Sequence, residues 1–180
     1  YSTDASAYRQ RPLAVFIVEK DYYQDIKLLL DFCKTHNTFL IPRAAGTSLA
    51  GQVVGNGIVV DVSKNLNQIL EVNAQEKWVR VQAGVVLQQL NQYLKPYNLL
   101  FGPETSTANR CCIGGMVGNN SCGLHSLVYG SARDHLLEAK VILADGKQVL
   151  LKQYSKEEFL AKAQQNDLEG GVNYPVLYND

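Results

Sequence analysis

No sign of charge prevails in this chain: 17 lysines and arginines stand against 17 aspartates and glutamates. Without a basic excess, or a basic run interleaved with aromatics, nucleic acid is excluded as a natural partner. There is also no apolar run near the eighteen or so residues that a membrane span needs. Cysteine is scarce, with four in 180 residues. Cys33, Cys111, Cys112 and Cys122 have the spacing of neither a zinc ribbon, a Cys-x-x-Cys redox pair nor an iron–sulfur ligand run. They read as reduced thiols of a cytosolic protein. The three histidines, His36, His125 and His135, are scattered; each reads as a surface or loop residue, and no metal site is expected. The start at Tyr1, with no initiator methionine or signal-peptide pattern, reads as a piece of a longer chain.

What is present is a concentration of small residues in two places. The first is Ile41 to Gln52, IPRAAGTSLAGQ. Glycines 46 and 51, alanines 44, 45 and 50, and the hydroxyls of Thr47 and Ser48 leave the backbone uncovered, so that successive N–H groups can converge on the oxygens of an anion. Gly46 to Gly51 has P-loop spacing, but Gln52 and Val53 follow in place of Lys and Ser/Thr, which argues against nucleotide hydrolysis. The G-x-G-x-x-G fingerprint is absent as well, because the glycines after Gly46 fall at 51, 55 and 57. An ordinary turn between strands remains the plain alternative.

Around that loop the pattern predicts alternating strands and helices. Residues 1–12 form a polar arm, followed by a strand over Leu13–Val18 and a helix from an Asp21 N-cap, with Ile26, Leu29, Leu30 and Cys33 at helical spacing. Strands are expected over Thr38–Ile41, Gly57–Val62, Gln68–Val72 and Lys77–Gln82, close enough in sequence to suggest one mixed sheet. A helix spans Val86–Tyr97 and is closed by Pro96. Leu136–Ala144 and Gln148–Leu151 read as a hairpin on an Asp145-Gly146 turn, and Ser155 to Glu158 as a capping box opening a helix to about Gln165.

The second concentration is Gly102 to Gly130, with six glycines and little periodicity. Long structureless stretches inside compact domains are usually functional. Asn119-Asn120-Ser121 is formally a glycosylation acceptor, but a glycan there would block any ligand, and it is discounted. Taken in order, PRAAGTSLAGQ (42–52), GIVVDVSKNLNQIL (57–70), VRVQAGV (79–85), GPETSTANRCCIGGMVGNNSCG (102–123) and YGSARDHLLEAKVILADG (129–146) resemble the FAD-binding domain of the vanillyl-alcohol oxidase/p-cresol methylhydroxylase (PCMH) flavoproteins. Within that family the resemblance is to the D-lactate, glycolate and D-2-hydroxyglutarate dehydrogenase branch.

The resemblance implies an α+β, PCMH-type fold of two lobes, about 13–75 and 76–168, with FAD between them. Residues 169–180 would begin the link to a C-terminal substrate (cap) domain. Backbone amides of Arg43, Ala44, Ala45, Gly46, Thr47 and Ser48 would bind the pyrophosphate, with Gly51 and Gln52 toward the flavin. Pro103, Glu104 and Thr105 would lie beside the cofactor, Gly114 and Gly115 would allow close approach, and Asn119, Ser121 and Gly123 would make polar contacts. Tyr129 and Gly130 would continue that wall, and Val141 or Ile142 would hydrogen-bond the adenine. With no histidine in Arg43–Ala50, the flavin is expected to be noncovalent.

The implied activity is oxidation of a small 2-hydroxy acid by hydride transfer to flavin. The catalytic residues, and an iron–sulfur cluster or divalent metal where the parent uses one, would lie outside this segment. A downstream electron-transfer partner is implied, and a cytoplasmic location, with attachment to a membrane through the electron acceptor as its variant. Another FAD-linked oxidase or reductase on this scaffold, or a nonenzymatic FAD-binding module, is the alternative.

Overall fold

The computed structural model describes residues 1–19 and 21–164. The chain forms two compact units, Tyr1–His135 and the residues from Leu136 onward. In the first, β1 (Ala14–Ile17), β3 (Ile58–Asp61) and β2 (Leu40–Arg43) form a parallel sheet in that order. The middle strand explains its own composition: IVVD is buried at every position, as a strand covered on both faces must be. Helix α1 (Tyr22–Thr35) connects β1 to β2 and sets Tyr22, Ile26 and Leu29 against Val18, Val60 and Leu66. Asp21 stands at its N-cap but makes no side-chain cap bond.

A second core lies beyond Leu66. The antiparallel pair β4 (Ile69–Asn73) and β5 (Trp78–Val81) turns Ile69, Val72, Val79 and Val81 toward Val85, Leu90, Met116 and Ala132. Helix α2 (Leu87–Leu94) buries Leu87, Leu90 and Leu94, one face at spacings of three and four. It stops before Pro96, which sits in a 3-10 turn over Lys95–Tyr97. The two cores thus divide between Leu66 and Ile69, whereas residues 75 and 76, the expected lobe boundary, fall between the two strands of this hairpin.

Two expectations need correction. The early strands do not form one mixed sheet; they make a parallel sheet and a separate antiparallel pair. The stretch 102–130 is not structureless either: it holds α3 (Ile113–Asn119) and α4 (Ser126–Tyr129), followed by a 3-10 turn over Ala132–His135. Both helices are too short and too rich in glycine and hydroxyl residues to show a period. Tertiary bonds place α3, because Ile113 N–H donates to the Val85 carbonyl (2.9 Å) and Gly114 N–H to that of Ala83 (2.8 Å).

The second unit contains the expected hairpin, β6 (Glu138–Ile142) paired with β7 (Gln148–Lys152), and α5 (Lys156–Ala163). Ser155 and Glu158 close a reciprocal capping box at the start of α5. Its expected end at Gln165, and the link over 169–180, lie outside the described residues.

Candidate functional site

Because β1, β2 and β3 are parallel, their carboxyl ends share one edge, the edge where open α/β sheets hold ligands. The loop 44–52 leaves from that edge. Arg43 closes β2 opposite Asp61, and its carbonyl accepts from Val62 N–H (3.0 Å). Gly46 has φ +71°, a left-handed conformation that glycine adopts without strain. Of the expected anion-binding amides, that of Ala45 lies beside Cys112 and favours its thiolate. Among the described residues, the N–H groups of Ala44, Gly46, Thr47 and Ser48 have no protein acceptor. Partly exposed N–H dipoles in such a turn are the donor set that a diphosphate requires.

The two small-residue stretches touch. A Cβ on Gly115 would stand 3.3 Å from Ala44 Cβ, and on Gly114 it would come within 2.6 Å of Ala83 Cβ. The absence of side chains at 114 and 115 lets α3 lie flat between Ala83 and the loop. Helix α3 contributes a wall, since its first two N–H groups are already bonded to Val85 and Ala83. Gly115 and Asn119 are exposed on it, and Asn119 Nδ2 donates to Ser121 Oγ (3.5 Å).

The remaining expected site residues fall into three settings. Ser48 Oγ donates to Gln52 Oε1 (2.5 Å), and Gly51 packs against the Tyr8 ring of the N-terminal arm. Pro103 is fully buried, and Thr105 Oγ1 lies 3.2 Å from both Thr107 Oγ1 and Cys111 Sγ. Glu104 Oε1 pairs with His125 Nδ1 at 2.6 Å, while Gly123 packs on the Glu104 carbonyl. Tyr129 lies against Gly102, and Gly130 ends α4 with φ +71°. Val141 and Ile142 belong to β6 in the second unit.

Sequence reasoning missed two contributors. Asp61 is the one buried charged residue among the described residues, 2% exposed. It accepts from Ser63 N–H and Oγ (both 2.7 Å) and from the Tyr1 hydroxyl (2.6 Å). A lone carboxylate ending the run GIVVD was the available signal. Cys112, buried behind the loop, has its thiol pushed up to about 11 by burial, with further contributions from Cys111 and Asp61. It therefore stays protonated, and its thiol donates to the Arg110 carbonyl (3.7 Å). The arm expected over residues 1–12 is folded, with Thr3 and Arg9 forming a bridge and Gln10 N–H donating to the Ser2 carbonyl (2.9 Å), and its Tyr8 lies against Gly51 of the loop.

Comparison with known proteins identifies the family and the fold. The chain is 44% identical over 149 residues to D-2-hydroxyglutarate dehydrogenase of Pseudomonas putida, covering 82% of this chain and 15% of that protein. It is 33% identical over 148 residues to glycolate oxidase subunit GlcD of Bacillus subtilis, covering 81% of this chain and 31% of the relative. The chain thus spans about a seventh of the dehydrogenase's length. A solved alkyldihydroxyacetonephosphate synthase superposes with a TM-score of 0.63 over 77% of this chain and 25% of its own, at 18% identity, which bears on the fold alone. The fold is the α+β, PCMH-type FAD-binding fold. Residues 12–152 match the FAD binding domain family, and with the donor loop, the glycine-lined wall and the order of the elements in agreement, the chain belongs to that family.

Proposed function

We propose that this chain is the cofactor-holding part of an FAD-linked dehydrogenase that oxidises a small 2-hydroxy acid of the D-2-hydroxyglutarate, D-lactate or glycolate type. The observation that carries the reading is the set of four amides, Ala44, Gly46, Thr47 and Ser48, left without protein acceptors where the loop meets Gly115. N–H dipoles can meet a diphosphate of about two negative charges without a cationic cluster. A chain of zero net charge holds its anion in this way.

The roles proposed for the site residues are these. Ala44, Gly46, Thr47 and Ser48 hold the diphosphate, while Ala45 and Arg43 shape the loop. Gly51 and Gln52 extend it toward the flavin, and Gly115, Asn119, Ser121, Gly123 and Tyr129 line the wall opposite. Pro103, Glu104, Thr105 and Gly130 hold that wall in place, and Gly114 seats α3. The flavin is noncovalent, because Arg43–Ala50 offers no histidine. When bound, FAD supplies the hydride acceptor, and the protein supplies position and exclusion of water.

Oxidation also requires a clamp on the substrate carboxylate and a base for its hydroxyl proton. Arg43 is committed to backbone carbonyls and His125 to Glu104. The clamp and base are therefore assigned to the rest of the parent, in a cap domain, and an electron-transfer partner follows downstream. No helix among the described residues is long and apolar enough to cross a membrane; the setting proposed is cytoplasmic.

The test is anaerobic mixing of the FAD-loaded parent with D-2-hydroxyglutarate, D-lactate and glycolate while flavin absorbance is followed. Bleaching by at least one of the D-2-hydroxy acids, and none by the L enantiomers, is expected. A flavin that stays oxidised with all three removes the substrate class.

A further inference from the structure

Arginine beside an anion-binding loop is ordinarily assigned to the anion, since its guanidinium fork matches phosphate oxygens. Here the fork is already occupied. Nη1 donates to the carbonyls of Tyr1 (3.4 Å) and Val53 (3.3 Å), and Nη2 donates to that of Thr3 (2.8 Å). The guanidinium carbon lies 5.4 Å from the centre of the Tyr1 ring. Among the described residues Arg43 makes no ion pair.

These contacts have a specific topology. Arg43 is the residue before the loop and Val53 the residue after Gln52, so the side chain ties the two ends of the loop together. The guanidinium also fills the place beside Gly46, where a Cβ would fall within clashing distance of Nη2. The arm supplies the other acceptors and is itself fastened, because the Tyr1 hydroxyl donates to buried Asp61 at 2.6 Å. The run Asp61, Tyr1, Arg43, Gly46 is continuous contact from the end of β3 to the turn that carries the free amides.

We infer that Arg43 is a positioning residue for the diphosphate loop and not an anion ligand: it cross-ties the loop base and holds the Gly46 turn, and the Tyr1–Asp61 bond anchors it. The inference rests on the FAD reading above. It separates two roles that net charge cannot separate, because losing an ion contact to the cofactor flattens the salt dependence of binding whereas losing a tie between backbone carbonyls does not.

The experiment is FAD titration of the parent apoprotein at several salt concentrations, for wild type, Arg43→Lys, Arg43→Met and Tyr1→Phe. Both Arg43 variants are expected to lose affinity to a similar extent, roughly tenfold, the scale of one or two lost hydrogen bonds. The dependence of log Kd on log salt should keep the wild-type slope, since no ion contact to the cofactor is removed. Tyr1→Phe, the mildest change and far less exposed to folding failure, should also weaken FAD binding and be non-additive with Arg43→Met. Apoprotein of each variant should exchange the amides of 44–52 faster than wild type. Lysine binding like wild type, while methionine loses affinity and flattens the salt slope, would make Arg43 a charge ligand and overturn the inference. Failure of wild type itself to take up FAD would instead sink the underlying FAD reading.

Discussion

Burial alone would push the Asp61 carboxyl upward, yet the hydroxyl and N–H of Ser63 and the Tyr1 phenol hold it below the ordinary aspartate range, with Lys64 adding its charge. The folded value is depressed, so the stabilisation is fully present above the unfolded pKa of about 3.9 and is lost as pH falls through the lower folded value. Asp61→Asn should lower stability at neutral pH by about 1–3 kcal/mol, the scale of a charged hydrogen bond in a buried setting. It should also flatten the acid limb of the denaturation curve, which chemical denaturation from pH 7 to pH 3 would show. An unchanged acid limb would mean that Asp61 titrates alike in both states. Glycines offer a second contrast. A Cβ at Gly114 would meet Ala83 Cβ at 2.6 Å and its Cα at 2.9 Å, whereas at Gly118 it would meet nothing within 4 Å. Gly114→Ala should therefore destabilise by about 1–3 kcal/mol through overpacking. Gly118→Ala should be neutral or stabilising by up to about 1 kcal/mol, because it removes a helix-interior glycine. Thermal melts of the two variants check the pair, and equal shifts would contradict the seating of α3 against Ala83.

At the scale of elements, what was legible in the sequence was whatever carries a period or a local cap. Helix α2 shows its buried face as Leu87, Leu90 and Leu94, each no more than 3% exposed. Leu90→Ala should cost about 2–5 kcal/mol by leaving a cavity in the second core, measurable by urea denaturation. A loss under 1 kcal/mol would mean that the core can collapse around the gap. The Ser155 to Glu158 box and the β6–β7 hairpin were equally readable, because both are set by residues a few positions apart. Helices α3 and α4 were not, since the seven residues of α3 are fixed by bonds to the distant segment 83–85 and the four of α4 are too few to show a period. Strand partners were illegible for the same reason: β3 lies between β1 and β2 although it follows both in sequence. The loop 44–52 could be recognised by composition, but its neighbours could not. Neither Tyr8 against Gly51 nor Cys112 against Ala45 leaves a local trace.

For the molecule as a whole, the physical problem is how a chain with zero net charge retains an anionic dinucleotide. The answer proposed is geometric: parallel strands end on one edge, the loop leaving that edge has four amides with no protein acceptor among the described residues, and a helix seated by Gly114 closes the side. The proposal assigns the substrate chemistry outside this chain, which spans 15% of the length of the Pseudomonas putida relative. The measurement that tests the central claim most directly is titration of the apoprotein with FAD and with FMN under identical conditions. If the amides of Ala44, Gly46, Thr47 and Ser48 grip a diphosphate, FAD should bind at least tenfold more tightly than FMN, which carries a single phosphate and no adenine, a difference of about 1.4 kcal/mol or more. Equal affinity for the two flavins would contradict the assignment of this loop to the diphosphate.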